Sequence, residues 1–247
     1  MVKDNYEYRE CKVICNNEIS RGIFRLSVEG KFSGKPGQFY MLRCWDNEPI
    51  LWRPISIHNI KSNSIEFAYQ LVGQGTNLLS KLKAGEKVKI IGPLGNGFDV
   101  ENIRGKVAIV SGGIGVAPMR YLVESIKDAE TQVFAGFRDE VYGLGEIIAS
   151  GVNVKVSTED GSEGHKGYVT ELFNPEDYDL VLCCGPEIMM YKVVNMCKEV
   201  GTKIYISEEK KMACGIGACL VCTCETVNGN KRTCKDGPVF SGEDLVF

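Results

Sequence analysis

The chain has 247 residues, 44% hydrophobic and 25% charged, an ordinary globular composition with room for two compact domains and a small appendage. A formal net charge of -3 gives no support to a nucleic-acid partner, and no apolar run approaches the length of a membrane span. Eleven cysteines in a chain of this size, an odd number, argue for reduced thiols and metal ligands over a disulfide framework. The only two histidines, His58 and His165, lie far apart, which leaves a His-rich metal site or a His-based triad little to work with. The opening segment 1–10 is polar and charged, unlike a secretory signal, so a cytoplasmic location is expected.

From about Val13 to Val100 the texture is β. Ile23–Val28 and Ser64–Tyr69 alternate apolar and polar residues, with turn signals at Gly30, Gly34, Pro36-Gly37, 61–63 and Ala84-Gly85, as in a small barrel. A short helix is expected over 77–83 with Thr76 as its N-cap. Near Gly105 the pattern changes. Short apolar runs at Lys106–Val110, Gln132–Ala135, Val152–Val156 and Asp179–Cys183 alternate with helical stretches at 119–128, 145–150 and 187–200, the signature of a parallel α/β sheet. From Lys210 onward the chain is rich in glycine and cysteine and too short to build its own core, so its stability is expected to rest on a bound metal.

That tail carries Cys214, Cys219 and Cys222 as C-x4-C-x2-C, followed by Cys234, the spacing of a plant-type [2Fe–2S] site. Gly215 and Gly217 let the loop wrap, with backbone N–H groups aimed at sulfur. A four-cysteine zinc site is the bland alternative, but it usually uses two short pairs on separate knuckles. Cys224 lies outside the frame and reads as the spare. In the α/β segment, Val110–Pro118 runs from strand into helix through Gly112, Gly113 and Gly115, where backbone can approach a pyrophosphate; a mere tight turn is the alternative. Cys184, Gly185 and Pro186 form a second loop on the same edge. Cys183 reads as a buried small hydrophobe. In the β segment, Arg53 and Ser56 sit three apart on a strand, an arginine fork suited to phosphate, though such an arginine is more often a surface ion-pair former. Gly73–Asn77 offers another anion cradle. His58 reads as a strand-end surface residue, His165 as a loop residue, and Met189, Met190 and Tyr191 as core packing.

Together these motifs resemble the ferredoxin–NADP reductase superfamily, and the tail narrows the likeness. Arg53–Ile57, Gly92–Phe98, Met212–Cys219 and Cys234–Phe240 are similar to the electron-transfer subunits of NAD-dependent (class 1B) dihydroorotate dehydrogenases, over nearly the whole chain. The resemblance implies a six-stranded antiparallel flavin-binding β-barrel over 1–102, a parallel-sheet nucleotide-binding α/β domain over 103–208 and a small [2Fe–2S] domain over 209–247. It implies FAD held by Arg53, Pro54, Ile55 and Ser56, by Gln70, Leu71 and Val72, and by Gly75 and Thr76. NAD is expected at Gly112, Gly113, Gly115, Cys184, Gly185 and Pro186, with Cys184 near the nicotinamide and no catalytic acid or base in the chain. The implied cluster ligands are Cys214, Cys219, Cys222 and Cys234. The implied partner is an FMN-containing TIM-barrel catalytic subunit that oxidises dihydroorotate in pyrimidine biosynthesis, as a heterotetramer of two of each. Electrons are then expected to pass from FMN through the cluster to FAD and on to NAD as hydride.

Two other readings compete. The small flavin and iron–sulfur subunit of an NADH-dependent ferredoxin:NADP oxidoreductase or sulfide dehydrogenase shares the domain order, but that group tends to carry aspartate where one cluster cysteine stands, and here the first position is Cys214. A zinc-stabilised interaction module on an inactive reductase fold is the non-enzymatic alternative. NAD is favoured over NADP because Asp139 and Glu140 follow Arg138 and would repel a 2′-phosphate.

Overall fold

A computed structural model describes residues 6–246; the first five residues of the polar opening segment and Phe247 lie outside the described residues. The first half is a closed antiparallel barrel of β1 (Glu7–Ser20), β2 (Ile23–Glu29), β3 (Phe39–Arg43), β4 (Arg53–Lys61), β5 (Ser64–Gln70), α1 (Gln74–Ser80) and β6 (Lys87–Leu94), with strand order β1-β2-β5-β4-β3-β6. Alternation decides which side chains fill it. Ile65, Phe67 and Tyr69 of β5 point into the barrel core with Leu26, Leu42 and Ile90, while Glu66 points outward. Helix α1 begins three residues before the sequence places it, capped at Gly73. Thr76 is not its N-cap: its hydroxyl accepts the backbone N–H groups of Val72 (3.0 Å) and Gly73 (3.1 Å) from within the first turn, which draws those residues into the helix start.

The second half holds β7 (Gly105–Gly112), α2 (Met119–Ser125), β8 (Ala129–Phe137), α3 (Gly145–Ala149), β9 (Asn153–Thr158), β10 (His165–Lys166), β11 (Leu180–Cys184), α4 (Glu187–Val200) and β12 (Lys203–Ser207). They form a sheet of order β10-β9-β8-β7-β11-β12, parallel throughout. Val107 and Ile109 of β7 face Met119 and Leu122 of α2, while Ala108 and Val110 face Val193 and Val194 of α4, so the strand is buried on both sides. Helix α2 is shorter than expected because Ile126 turns extended and β8 begins at Ala129. Met190 joins the core as expected, but Tyr191 is exposed, since it sits one residue round the helix from the packed stripe.

The tail adds a hairpin of β13 (Thr223–Cys224) and β14 (Lys231–Arg232), and then β15 (Val239–Ser241), which extends the large sheet antiparallel to β12. Asn96 of the barrel bonds the same stretch, its Nδ2 donating to the carbonyls of Lys235 and Asp236 and its N–H to Gly237. Among the described residues no helix is long and apolar enough to cross a membrane.

Barrel and sheet meet where α2 packs on β4 and β5. Arg120 of α2 pairs with Glu66 of β5 at 3.0 Å, both side chains less than 10% exposed, and also with Glu124 and Glu146; Arg25 of β2 completes the group through Glu146. His58 is not a surface residue. It is 2% exposed and its Nδ1–H donates to the Ala117 carbonyl at 2.6 Å, because its position on β4 faces α2 and not solvent. Burial holds the His58 imidazole below its usual value, and the Ala117 hydrogen bond only partly opposes this. The unfolded chain therefore takes up a proton at His58 more readily, so stability should fall as pH drops through about 6.5 and level off below the folded-state value. Denaturation midpoints between pH 8 and 5 should show this decline in the wild type and a shallower one in His58→Gln; equal slopes would contradict it.

Candidate functional site

Helices α2 and α4 leave β7 and β11 on opposite faces of the sheet, which opens a crevice at the carboxyl ends of these neighbouring strands. A cleft of about 1050 Å³ lies there, lined by Gly112, Gly113, Gly115, Gly185 and Pro186. The two loops touch each other closely. A Cβ on Gly115 would stand 2.3 Å from the Cys184 carbonyl oxygen, and one on Gly112 would stand 2.8 Å from Pro186 Cδ. These two glycines are therefore required by loop-on-loop contact. Gly113, at φ +52° with open space before it, is the one that leaves room for a ligand. Cys184 does not line this cleft. It is 1% exposed, packed in the sheet core, and burial pushes its thiol well above the usual value.

A second cleft, of about 360 Å³, lies between barrel and sheet and is lined by Arg53, Pro54, Ile55 and Ser56 of β4. Gln70, Val72 and Thr76 close another side. Leu71, between Gln70 and Val72, alternates away from the cleft. Gly75 acts from behind: a Cβ there would meet Arg53 Nε at 2.4 Å, so only glycine lets α1 lie against the guanidinium. Arg53 is held by the Leu51 carbonyl at 2.7 Å and by the Trp45 ring, 5.7 Å from its centroid, and by no carboxylate among the described residues. Its charge is free to meet an anion, which fits a phosphate-bearing flavin.

The four tail cysteines come together as two pairs. Cys214 is engaged by the Cys219 thiol; Cys234 N–H donates to Cys222 Sγ at 3.4 Å, and Gly217 N–H donates to Cys234 Sγ at 3.1 Å. Gly217 adopts φ +82°, which turns that N–H inward. Burial opposes ionisation of Cys214, but N–H groups of Ile216, Cys219 and Ala218 together bring it down to about 7. Among the described residues no three His, Cys, Asp or Glu side chains converge as on a single ion. Two thiol pairs instead suit two bridged irons, each needing two thiolates. Cys222 and Cys234 are 2% exposed and pack against Phe39, Met41 and Leu94 of the barrel, whereas Cys219 is exposed. Cys224 belongs to a different core, beside Phe240 and Leu245, with its thiol directed to the Lys231 carbonyl.

A family profile described as the iron-sulfur cluster binding domain of dihydroorotate dehydrogenase B matches residues 209–246. The dihydroorotate dehydrogenase B (NAD(+)) electron transfer subunit of Clostridium acetobutylicum is 57% identical over 241 residues, 98% of this chain and 98% of that protein. The chain belongs to this family of electron transfer subunits. The subunit of the same name from Clostridium perfringens is 51% identical, covering 98% of this chain and 99% of its own. Among solved structures, that of an NADH-dependent reduced ferredoxin-NADP oxidoreductase superposes with a TM-score of 0.86 at 26% identity, over 96% of this chain and 89% of that one. A ferredoxin reductase of carbazole 1,9a-dioxygenase shares the fold at TM-score 0.71 and 18% identity, over 83% and 70%.

Sequence reasoning missed Phe39, Met212 and Glu209, which line the barrel-side cleft. Phe39 and Met212 also belong to the apolar cluster around Cys222 and Cys234. Met212 opens the stretch Met212–Cys219 on which the likeness rests, without a role of its own; no short motif marks Phe39 or Glu209, and the latter's only signal is its place just before the first cysteine. In this subunit Gly115→Ala should cost about 1–3 kcal/mol by overpacking the two loops and should weaken NADH binding. Thermal denaturation and NADH titration check this; an Ala variant as stable as wild type with unchanged NADH affinity would contradict it.

Proposed function

We propose that this chain is the electron-transfer subunit of an NAD-dependent dihydroorotate dehydrogenase, passing electrons from the FMN of a catalytic TIM-barrel subunit to NAD+ in de novo pyrimidine biosynthesis. The observation that carries this is the shared wall: Phe39 and Met212 touch both the buried cysteine pair and the barrel-side cleft. A flavin in that cleft and a [2Fe–2S] cluster in the tail together supply exchange between single electrons and a hydride. Arg53 would hold the FAD phosphates, with Pro54, Ile55, Ser56 and Thr76 along the cofactor and Gly75 keeping α1 against the guanidinium. Gly113 would admit the NAD pyrophosphate, while Gly112, Gly115, Gly185 and Pro186 fix the crevice walls, and Cys184 supports the nicotinamide end from behind. Cys214 and Cys219 would hold the outer iron and Cys222 and Cys234 the inner one.

The preference for NAD over NADP draws support from the acids along the large cleft, where Asp139, Glu140, Asp160 and Glu163 outnumber Arg21 and Arg138. Exposed Ile216, Leu220 and Val221 rim Cys219, an apolar ring that suits docking of the catalytic subunit, in a heterotetramer of two of each. A cytoplasmic location belongs to the same reading. The alternative of a ferredoxin:NADP oxidoreductase subunit is disfavoured by 57% identity to a dihydroorotate dehydrogenase subunit, against 26% to that oxidoreductase.

Cys219→Ser should abolish dihydroorotate-dependent NAD reduction in the complex while sparing NADH oxidation by artificial acceptors. Cys224→Ser should leave the iron content unchanged. Loss of both activities in Cys219→Ser would assign the cluster a structural role and overturn the relay.

A further inference from the structure

We propose that Glu209 is the proton donor at the point of hydride transfer, a role that rests on the relay reading above. The two clefts meet at three residues that line both: Gln70, Ile114 and Glu209. Of these only Glu209 titrates. Flavin and nicotinamide must touch where the clefts join, so its carboxyl group stands at the junction that hydride crosses.

The electron count calls for such a group. Electrons arrive through the cluster singly and without protons, yet they leave as hydride. Each turnover therefore brings two electrons and one proton to the reactive flavin nitrogen. Glu209 gives up its carboxyl proton and becomes a carboxylate. That hydrogen then departs with both electrons to the nicotinamide, and Glu209 takes a fresh proton from the solvent to which it is exposed. A side chain is the better donor here because bound nicotinamide shuts bulk water out of the junction.

The surroundings suit the role. Glu209 is open to solvent at the cleft surface, yet partial desolvation within the cleft, and then the neighbouring Glu208 carboxylate, raise its pKa and favour the protonated form. Lys210, the nearest cation along the chain, does not neutralise it. Its Nζ is 2.9 Å from Glu187 Oε1 and 3.1 Å from Glu208 Oε1. Cys184 stays a neutral thiol because burial raises its pKa, so it does not compete as a proton source. Arg53, across the smaller cleft, is held by the Leu51 carbonyl and the Trp45 ring.

The test uses the FAD-loaded full chain and needs no partner. Time-resolved infrared difference spectra, recorded as a flash-generated reductant reduces the flavin, should show a transient loss of a protonated-carboxyl band that recovers as solvent restores the proton, shifts in deuterium oxide and is absent from Glu209→Gln. In the same variant, NADH affinity should stay within about twofold, while NADH oxidation at saturation should slow about a hundredfold, with partial recovery in Glu209→Asp. A carboxyl band that persists in Glu209→Gln would overturn the proposal, as would a loss of NADH affinity with the saturated rate intact. Because the spectra do not involve dihydroorotate, failure of the complex to reduce NAD would count against the relay reading and not against Glu209.

Discussion

The contact of Cys222 and Cys234 with Phe39, Met41 and Leu94 is the one on which the rest depends. A tail rich in glycine and cysteine cannot bury enough apolar surface to hold itself, so its geometry is borrowed. The barrel wall supplies one side, through Phe39 and Met41 of β3 and Leu94 of β6. The α/β sheet supplies the other, by accepting β15 beside β12 with Ser207 opposite Val239. The tail cannot shift without disturbing both domains, and the inner cysteines stay one side chain away from the cleft that Arg53 and Ser56 line. Proximity in an electron relay is thus set by packing already needed for stability.

The same economy governs the dinucleotide crevice. Gly112 and Gly115 are small so that two loops can touch, and the shape left over is the cleft. His58 and the Arg120–Glu66 pair lock α2 to the barrel, and α2 follows directly from the glycine turn. The orientation of the two clefts is therefore fixed by groups that touch neither ligand. Most of these side chains position their neighbours, whereas Glu209 is assigned a proton transfer.

Much of this was legible in the sequence because it depends on local spacing. The cysteine frame, the Gly112–Pro118 turn and Arg53–Ser56 are short, and the buried strands β7 and β11 read as continuous apolar runs. What escaped depends on distant neighbours. His58 looks like a polar strand end until α2 is laid over it, and Thr76 looks like a cap until its hydroxyl is seen bonding back to Val72. β12 and β15 are short and give little signal alone, since their pairing is decided by the cluster loop between them. Cys224 is told apart from Cys222 only by the core that each side chain enters, although the two lie two residues apart.

The central claim is that a cluster held by these four cysteines exchanges electrons with a flavin in the adjoining barrel. Its most direct test is electron paramagnetic resonance of the FAD-loaded chain, prepared without oxygen and titrated with NADH. The account predicts about two irons and about two acid-labile sulfides per chain and the signal of a reduced [2Fe–2S] cluster that grows with added NADH. Protein lacking iron and sulfide, or a cluster that stays oxidised while the flavin is reduced beside it, would contradict the account.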